Sequence, residues 1–148
     1  MYEFLDYRAC DAMTDQPVTI SPEATLAQAE AIFEEHDFNA LPVVDPEGQL
    51  LGVVTKLDLL RAFRFTEEAV FPPYEQIMKR RVSAQMTRDV VTATPREPLT
   101  RVLEKIVDLG TKSLPVVEAG RLVGIVARED LLAALRRAVS GERATGPI

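Results

Sequence analysis

Seven residues, Gly52-Val53-Val54-Thr55-Lys56-Leu57-Asp58, are of the types that could hold a nucleotide. An apolar run ending on Thr55 reads as a strand feeding a helix. The first turn of a helix offers unpaired N–H groups and the positive end of its dipole, which suits a phosphate. The Thr55 hydroxyl adds a donor. An ionised Asp58 only accepts, so it can take both hydroxyl protons of a ribose diol. Gly52, lacking a Cβ, lets another group approach the backbone closely. Thr55 to Asp58 also have the spacing of a capping box, although Glu or Gln is its usual fourth residue. Both readings stand at this level.

The stretch occurs twice. Met13-Thr14 recurs as Met86-Thr87, Val18-Thr19-Ile20-Ser21-Pro22 as Val91-Thr92-Ala93-Thr94-Pro95, and Leu41-Pro42-Val43-Val44-Asp45 as Leu114-Pro115-Val116-Val117-Glu118, all at an offset of 73. One residue is then lost in a turn. At an offset of 72, Leu50-Leu51-Gly52-Val53-Val54 recurs as Leu122-Val123-Gly124-Ile125-Val126, and Asp58-Leu59-Leu60 as Asp130-Leu131-Leu132. Five blocks in register with one indel identify a duplication, and two copies point to one pseudo-symmetric module rather than a solenoid. The second copy keeps the Gly and the Asp but has Ala127 in place of the Thr. Losing a cap costs about 1 kcal/mol, so an Asp retained without its capping partner predicts two unequal sites.

Each copy reads as strand, helix, strand, strand, helix. Val18 to Ile20 is a short strand stopped by Pro22. A helix follows over about residues 25–37, with Leu26, Ala29, Ile32 and Phe33 at helical spacing; Leu99, Val102, Leu103 and Ile106 repeat it. Pro42 forces Leu41 to be extended. Asp45-Pro46-Glu47-Gly48 has the residues of a type I turn. Leu50 to Thr55 returns, and Lys56 to Phe65 forms a second helix with Leu57, Leu60 and Phe63 toward the core. The expected organisation is an N-terminal helical segment over 1–12, repeats over 13–65 and 86–138, a linker over 66–85 and a frayed tail over 139–148. Phe71-Pro72-Pro73 breaks any helix in the linker, and Tyr74 to Val82 forms a short one.

The 148 residues suffice for a real core. One cysteine excludes an intramolecular disulfide. The chain has no 18-residue apolar run, and an acidic start from Met1 to Asp6 does not read as a signal peptide, so a cytoplasmic protein is expected. The net charge of −6 disfavours a general nucleic-acid binder. Residues 1–73 hold 4 basic and 14 acidic side chains, net −10, while 74–148 hold 13 and 9, net +4. Either these are solvated faces, or the second half attracts anions, or opposite halves of two chains attract.

The duplicated unit, Leu41-Pro42-Val43-Val44-Asp45 followed by the Gly52 to Asp58 stretch, resembles a CBS domain, named after cystathionine beta-synthase. The duplication resembles a CBS pair over about residues 10–138. The resemblance implies an α/β (α+β) fold, two β-α-β-β-α repeats about a pseudo-twofold axis with clefts between them. It implies a regulatory, energy-sensing module rather than an enzyme, with no prosthetic group. The implied ligand contains adenosine: AMP, ADP, ATP or S-adenosylmethionine, with or without Mg²⁺. A homodimer of pairs and an unidentified regulated protein are the implied partners. Carried over by position, Asp58 and Asp130 take ribose hydroxyls and Thr55, beside Lys56, holds phosphate. Ala40-Leu41-Pro42 and Ser113-Leu114-Pro115 lie against adenine or ribose. The segments ending Thr19-Ile20 and Thr92-Ala93 offer backbone groups to the base edge, and Val53 and Ile125 of the return strands belong to the same sites. Ala127 departs from the pattern, and Lys112 or Arg128 replaces the missing hydroxyl as a phosphate partner, unless both are plain surface cations.

Two other functional readings are carried. One is a scaffold or dimerisation module without a small ligand. The other is a nucleic-acid-associated regulator using Lys79-Arg80-Arg81 and Arg88, with Tyr74 or Phe71 stacking on a base unless they pack on the module. His36 reads as a helix-end or packing residue, Cys10 as a packed small residue. No cluster has metal-ligand spacing, and no P-loop or dinucleotide fingerprint is present.

Overall fold

The structure, a computed structural model, describes residues 2–64 and 73–145. Phe65, Phe71 and Pro72 lie outside the described residues. The elements in chain order are a 3₁₀ turn Tyr2–Asp6, α1 Ala9–Ala12, β1 Thr14–Asp15, α2 Leu26–Glu35, β2 Ala40–Val44, β3 Leu50–Thr55, α3 Lys56–Arg61, α4 Tyr74–Met78, α5 Val82–Gln85, α6 Leu99–Leu109, β4 Ser113–Glu118, β5 Arg121–Ala127 and α7 Arg128–Thr145. The duplicated mixed helix–strand order is present, and α7 continues past residue 139 as far as Thr145.

The chain divides into two compact units, and neither coincides with a sequence repeat. The early unit is Val18–Val90; the late unit joins Met1–Pro17 to Val91–Ile148. Each repeat's leading arm closes the sheet built by the other repeat. In the early unit, Val53 and Thr87 exchange backbone hydrogen bonds of 2.9 and 2.8 Å. In the late unit, Thr14 pairs with Ile125 and β1 flanks β5 in the order β1-β5-β4. The arms dock by one pattern. Val82 N–H donates to the Ala24 carbonyl at 2.7 Å, and Ser83 N–H to that of Pro22 at 3.0 Å. Seventy-three positions away in the sequence, Ala9 N–H donates to Glu97 and Cys10 N–H to Pro95, each at 2.9 Å. Sorted by unit, the charge contrast shrinks: the early unit holds 12 acidic and 7 basic side chains, net −5, the late unit 11 and 10, net −1.

Each unit is built on one hairpin, β2–β3 or β4–β5, with matching irregularities at Val43/Val44 and Val116/Val117. Val18 to Ile20 is not a full strand; Ile20 makes a single parallel bridge to Val43, as Ala93 does to Val116. The first turn has the expected contact, Gly48 N–H to the Asp45 carbonyl at 3.0 Å. The deletion leaves a two-residue turn, Ala119-Gly120, with both residues at positive φ. Such a turn matches the twist of the strands it joins.

The cores follow the helical periodicity where apolar spacing is the governing signal. Leu26, Ala29 and Phe33 of α2 are buried with Leu41, Val43 and Val54; Leu99, Val102 and Ile106 of α6 are buried with Leu114, Val116 and Val126. In α3 the expected face is wrong. Leu57 and Leu60 are 54% and 68% exposed, whereas Asp58 is 2% exposed and Ala62 is buried. Capping turns Asp58 inward, which puts Leu57 and Leu60 outward while the half-buried Leu59 packs against the core. Cys10 is likewise exposed rather than packed, because Ala9 is the buried residue of α1. His36 caps the end of α2 and stacks on Phe38 at 4.9 Å.

Candidate functional site

The two Thr-x-x-Asp positions meet different surroundings. In the early unit Thr55 caps α3: its Oγ1 accepts the Asp58 N–H at 3.0 Å, and Asp58 Oδ2 accepts the Thr55 N–H at 2.9 Å. Two further donors reach the carboxylate. Arg61 Nη1 donates to Oδ1 at 3.1 Å, and the Thr87 hydroxyl of the incoming arm donates at 3.2 Å. A carboxylate offers about four acceptor directions, and three donors already meet this buried one. The group that approaches Gly52 is also the arm. A Cβ there would lie 2.5 Å from the Thr87 carbonyl oxygen.

In the late unit Asp130 Oδ2 accepts the Ala127 N–H at 2.8 Å. The positions equivalent to Thr55 and Arg61 are Ala127 and Ala133, which carry neither hydroxyl nor guanidinium. Asp130 is only partly buried. Burial raises its pKa above the ordinary value of 3.8, the Ala127 N–H opposes this, and the Glu129 charge adds to it. Because the folded state holds this proton more tightly, stability falls as pH rises from 3.8 through the raised value. Asp130→Asn is therefore expected to match wild type below that window and to gain on it above. Urea unfolding of both proteins across pH 3–7 checks this, and a difference independent of pH excludes it.

The remaining residues gather at equivalent hairpin ends. In the early unit Ala40 pairs with Thr55, Leu41 with Val54 and Pro42 with Val53; in the late unit Ser113 pairs with Ala127, Leu114 with Val126 and Pro115 with Ile125. Leu41 and Leu114 belong to the cores of their units, and Pro42 and Pro115 are buried. Backbone groups of the short segments are largely engaged. Ile20 N–H donates to Pro42 at 3.0 Å and its carbonyl accepts from Val44; Ala93 does the same with Pro115 and Val117. Thr19 is half-buried. The Thr92 carbonyl accepts from Lys105 Nζ at 3.0 Å, and the same ammonium lies 2.7 Å from Glu97 Oε2. This ion pair has no sequence signal, since Ala24 and Ile32 stand at the equivalent places.

Arg128, Lys56, Arg88 and Arg81 have partners within their own units. Arg128 donates through Nε to the Thr111 carbonyl at 2.9 Å and through Nη2 to that of Gly110 at 3.0 Å. Its guanidinium thus closes the C-terminus of α6, where cations are favoured. Its N–H donates to the Lys112 carbonyl. Lys56 lies 5.9 Å from the Phe33 ring centroid. Of the basic run, Arg88 donates to the Ser83 carbonyl and Arg81 lies 4.0 Å from Glu23. Tyr74 packs on the early unit, stacked on Phe63 at 5.6 Å, with its hydroxyl donating to Glu30 Oε2 at 3.2 Å. That bond and the Glu30 charge raise the Tyr74 pKa. Among the described residues no His, Cys, Asp and Glu cluster could hold a metal, and no helix is long and apolar enough to cross a membrane.

The chain is similar to known proteins along both repeats. The CBS domain family model matches residues 9–64 and 77–137. The uncharacterized protein MJ1225 of Methanocaldococcus jannaschii is 32% identical over 124 residues, 82% of this chain, which spans only 40% of that longer protein. The CBS domain-containing protein YhcV of Bacillus subtilis is 32% identical over 121 residues, covering 82% of this chain and 80% of that one. The crystallised CBS domain pair of MJ0100, solved in complex with 5′-methylthioadenosine and S-adenosyl-L-methionine, superposes with a TM-score of 0.70 at 30% identity, covering 87% and 99% of the two chains. Duplicated hairpins, exchanged arms and two Asp-bearing helix starts are thus joined to a family match over most of the chain: it is a tandem pair of CBS domains and belongs to the CBS domain family.

Proposed function

We propose that this CBS pair is a regulatory module that binds an adenosine-containing ligand, with Asp130 taking the ribose hydroxyls. The observation that carries this reading is the Asp130 carboxylate. It is partly buried at a helix start and costly to ionise; the Ala127 N–H donates to it, and Ala133 stands where Asp58 has the Arg61 guanidinium, while the late unit keeps Thr14 at the position of Thr87. A vicinal diol supplies two donors to such a group. The MJ0100 pair, crystallised with nucleosides of this class, supports the same ligand chemistry. Ser113, Ile125 and Ala127 stand beside Asp130 at the hairpin end, with the Thr92-Ala93 segment across the β4 edge. The Thr55 hydroxyl and the Asp58 carboxylate remain the weaker candidates, because each is engaged in the α3 cap. Binding acts on a partner only through different affinities for two conformations of the module. Dimerisation and the regulated protein belong to this reading as well.

Thermal unfolding against AMP, ADP, ATP with and without Mg²⁺, and S-adenosylmethionine tests it. A ligand at 100 times its Kd adds about 2.7 kcal/mol. The expected result is a Tm rise with at least one of these, lost in Asp130→Asn. No rise in nucleotide-free protein would leave the scaffold reading ahead, and salt-sensitive RNA or DNA binding would favour the nucleic-acid reading.

A further inference from the structure

The start of α7 is poorly equipped to hold a phosphate. Around Asp58 the early unit has the Thr55 hydroxyl, Lys56 and the Arg61 guanidinium; around Asp130 the same positions are Ala127, Arg128 and Ala133. The arm's threonine, Thr87 or Thr14, is common to both units and does not distinguish them. Arg128 is the one cation kept, and its guanidinium is committed to the end of α6, where it donates to the Thr111 and Gly110 carbonyls at 2.9 and 3.0 Å. Drawing it to a phosphate would break both bonds. Lys112, just before β4, is likewise engaged. Glu129 and Asp130 place two carboxylates in the first turn of α7, where they already answer the positive end of its dipole. Burial and then the Glu129 charge make Asp130 costly to ionise, against the Ala127 N–H. Beside it, Ile125 and Ala127 are half-buried and two positions apart on β5, so they share one apolar face.

We propose that the late site selects an adenosine whose 5′ group carries no phosphate: a 5′-thioether or sulfonium rather than a mono-, di- or triphosphate. This rests on the reading that Asp130 takes the ribose diol, which leaves the 5′ group to meet the start of α7. A thioether lies against Ile125 and Ala127 with no charge to desolvate. A sulfonium is attracted by Glu129 and Asp130. A phosphate meets two carboxylates, finds a methyl group where Thr55 has a hydroxyl, and competes with the α6 carbonyls for Arg128. Like charge rejects the wrong ligand as effectively as contact selects the right one.

Isothermal titration of the full, nucleotide-free chain with 5′-methylthioadenosine, S-adenosylmethionine, AMP and ATP tests it. The Kd for 5′-methylthioadenosine is expected to lie at least about tenfold below that for AMP, with ATP weaker still. Asp130→Asn is expected to weaken 5′-methylthioadenosine binding. The double variant Ala127→Thr with Glu129→Gln supplies the hydroxyl and removes an exposed charge; it is expected to strengthen AMP binding and narrow the gap to about threefold or less. AMP binding as tight as that of 5′-methylthioadenosine, and equally dependent on Asp130, would overturn the exclusion of phosphate alone. An AMP affinity unmoved by the double variant would do the same. Binding of none of the four, or binding indifferent to Asp130→Asn, would overturn the ribose assignment beneath it.

Discussion

Gly52→Ala is expected to lower stability by about 3 kcal/mol, roughly 10 °C in Tm for a chain of this size. The added Cβ would sit 2.5 Å from the Thr87 carbonyl oxygen and 3.2 Å from Met86 Sδ. The first obstacle is backbone, and it is held in place by the paired Val53–Thr87 hydrogen bonds next to it. Relief requires the arm to move, which strains that pair and loosens Met86 and Val82, both buried. Gly124→Ala is the internal control. There the nearest atoms are Met13 Sδ at 2.5 Å and Cγ at 2.9 Å, the outer atoms of a flexible side chain, with the Thr14 carbonyl at 3.0 Å. A methionine changes rotamer at modest cost, so Gly124→Ala is expected to lose only about half as much. Chemical denaturation of both variants measures the gap, and equal losses would show that arm docking is not what these glycines serve.

Asp58→Ala is expected to cost about 3 kcal/mol, and Asp130→Ala far less, near neutral pH. Removing the Asp58 carboxylate deprives the Thr55 N–H, the Thr87 hydroxyl and Arg61 of one shared acceptor. Asp58 is buried and Thr55 half-buried, so the Thr55 N–H is poorly resolvated, whereas Thr87 is exposed and its hydroxyl finds water. Arg61 is about half exposed and rehydrates, which keeps the loss below that of a fully buried pair. Asp130→Ala removes an acceptor for the Ala127 N–H and at the same time a partly buried carboxylate that is costly to ionise. Urea unfolding of the two variants reads the difference. Similar losses at both positions would mean that Asp130 also serves chiefly as a cap, which would weaken its assignment to the ribose.

Much of the architecture was legible in the residues. The duplication, its single indel, the hairpins and the α2 and α6 core faces all follow from local spacing, because apolar periodicity and turn chemistry act over a few residues. The α3 face was not legible in this way. Counting leucines put Leu57 and Leu60 inside, but a buried, satisfied Asp58 set the phase of the helix. The matching Thr-x-x-Asp pattern also left cap and ligand group open, since both uses need the same residue types. Arg128 could be noted only as a cation; its engagement with the Gly110 and Thr111 carbonyls depends on where α6 ends in space.

By itself the sequence determined that the chain is a duplicated CBS pair, that the second copy lacks the threonine, and that its two aspartates are therefore unequal. Only the tertiary structure showed that Asp58 is buried and met by Thr87 of the opposite repeat as well as by Arg61. It also decided that the group approaching Gly52 is an arm of the other repeat, and that the charge contrast between sequence halves shrinks between compact units. The reason is the same in each case. Local pattern specifies an element and its faces, whereas a long-range exchange of arms sets which groups from distant parts of the chain meet those faces.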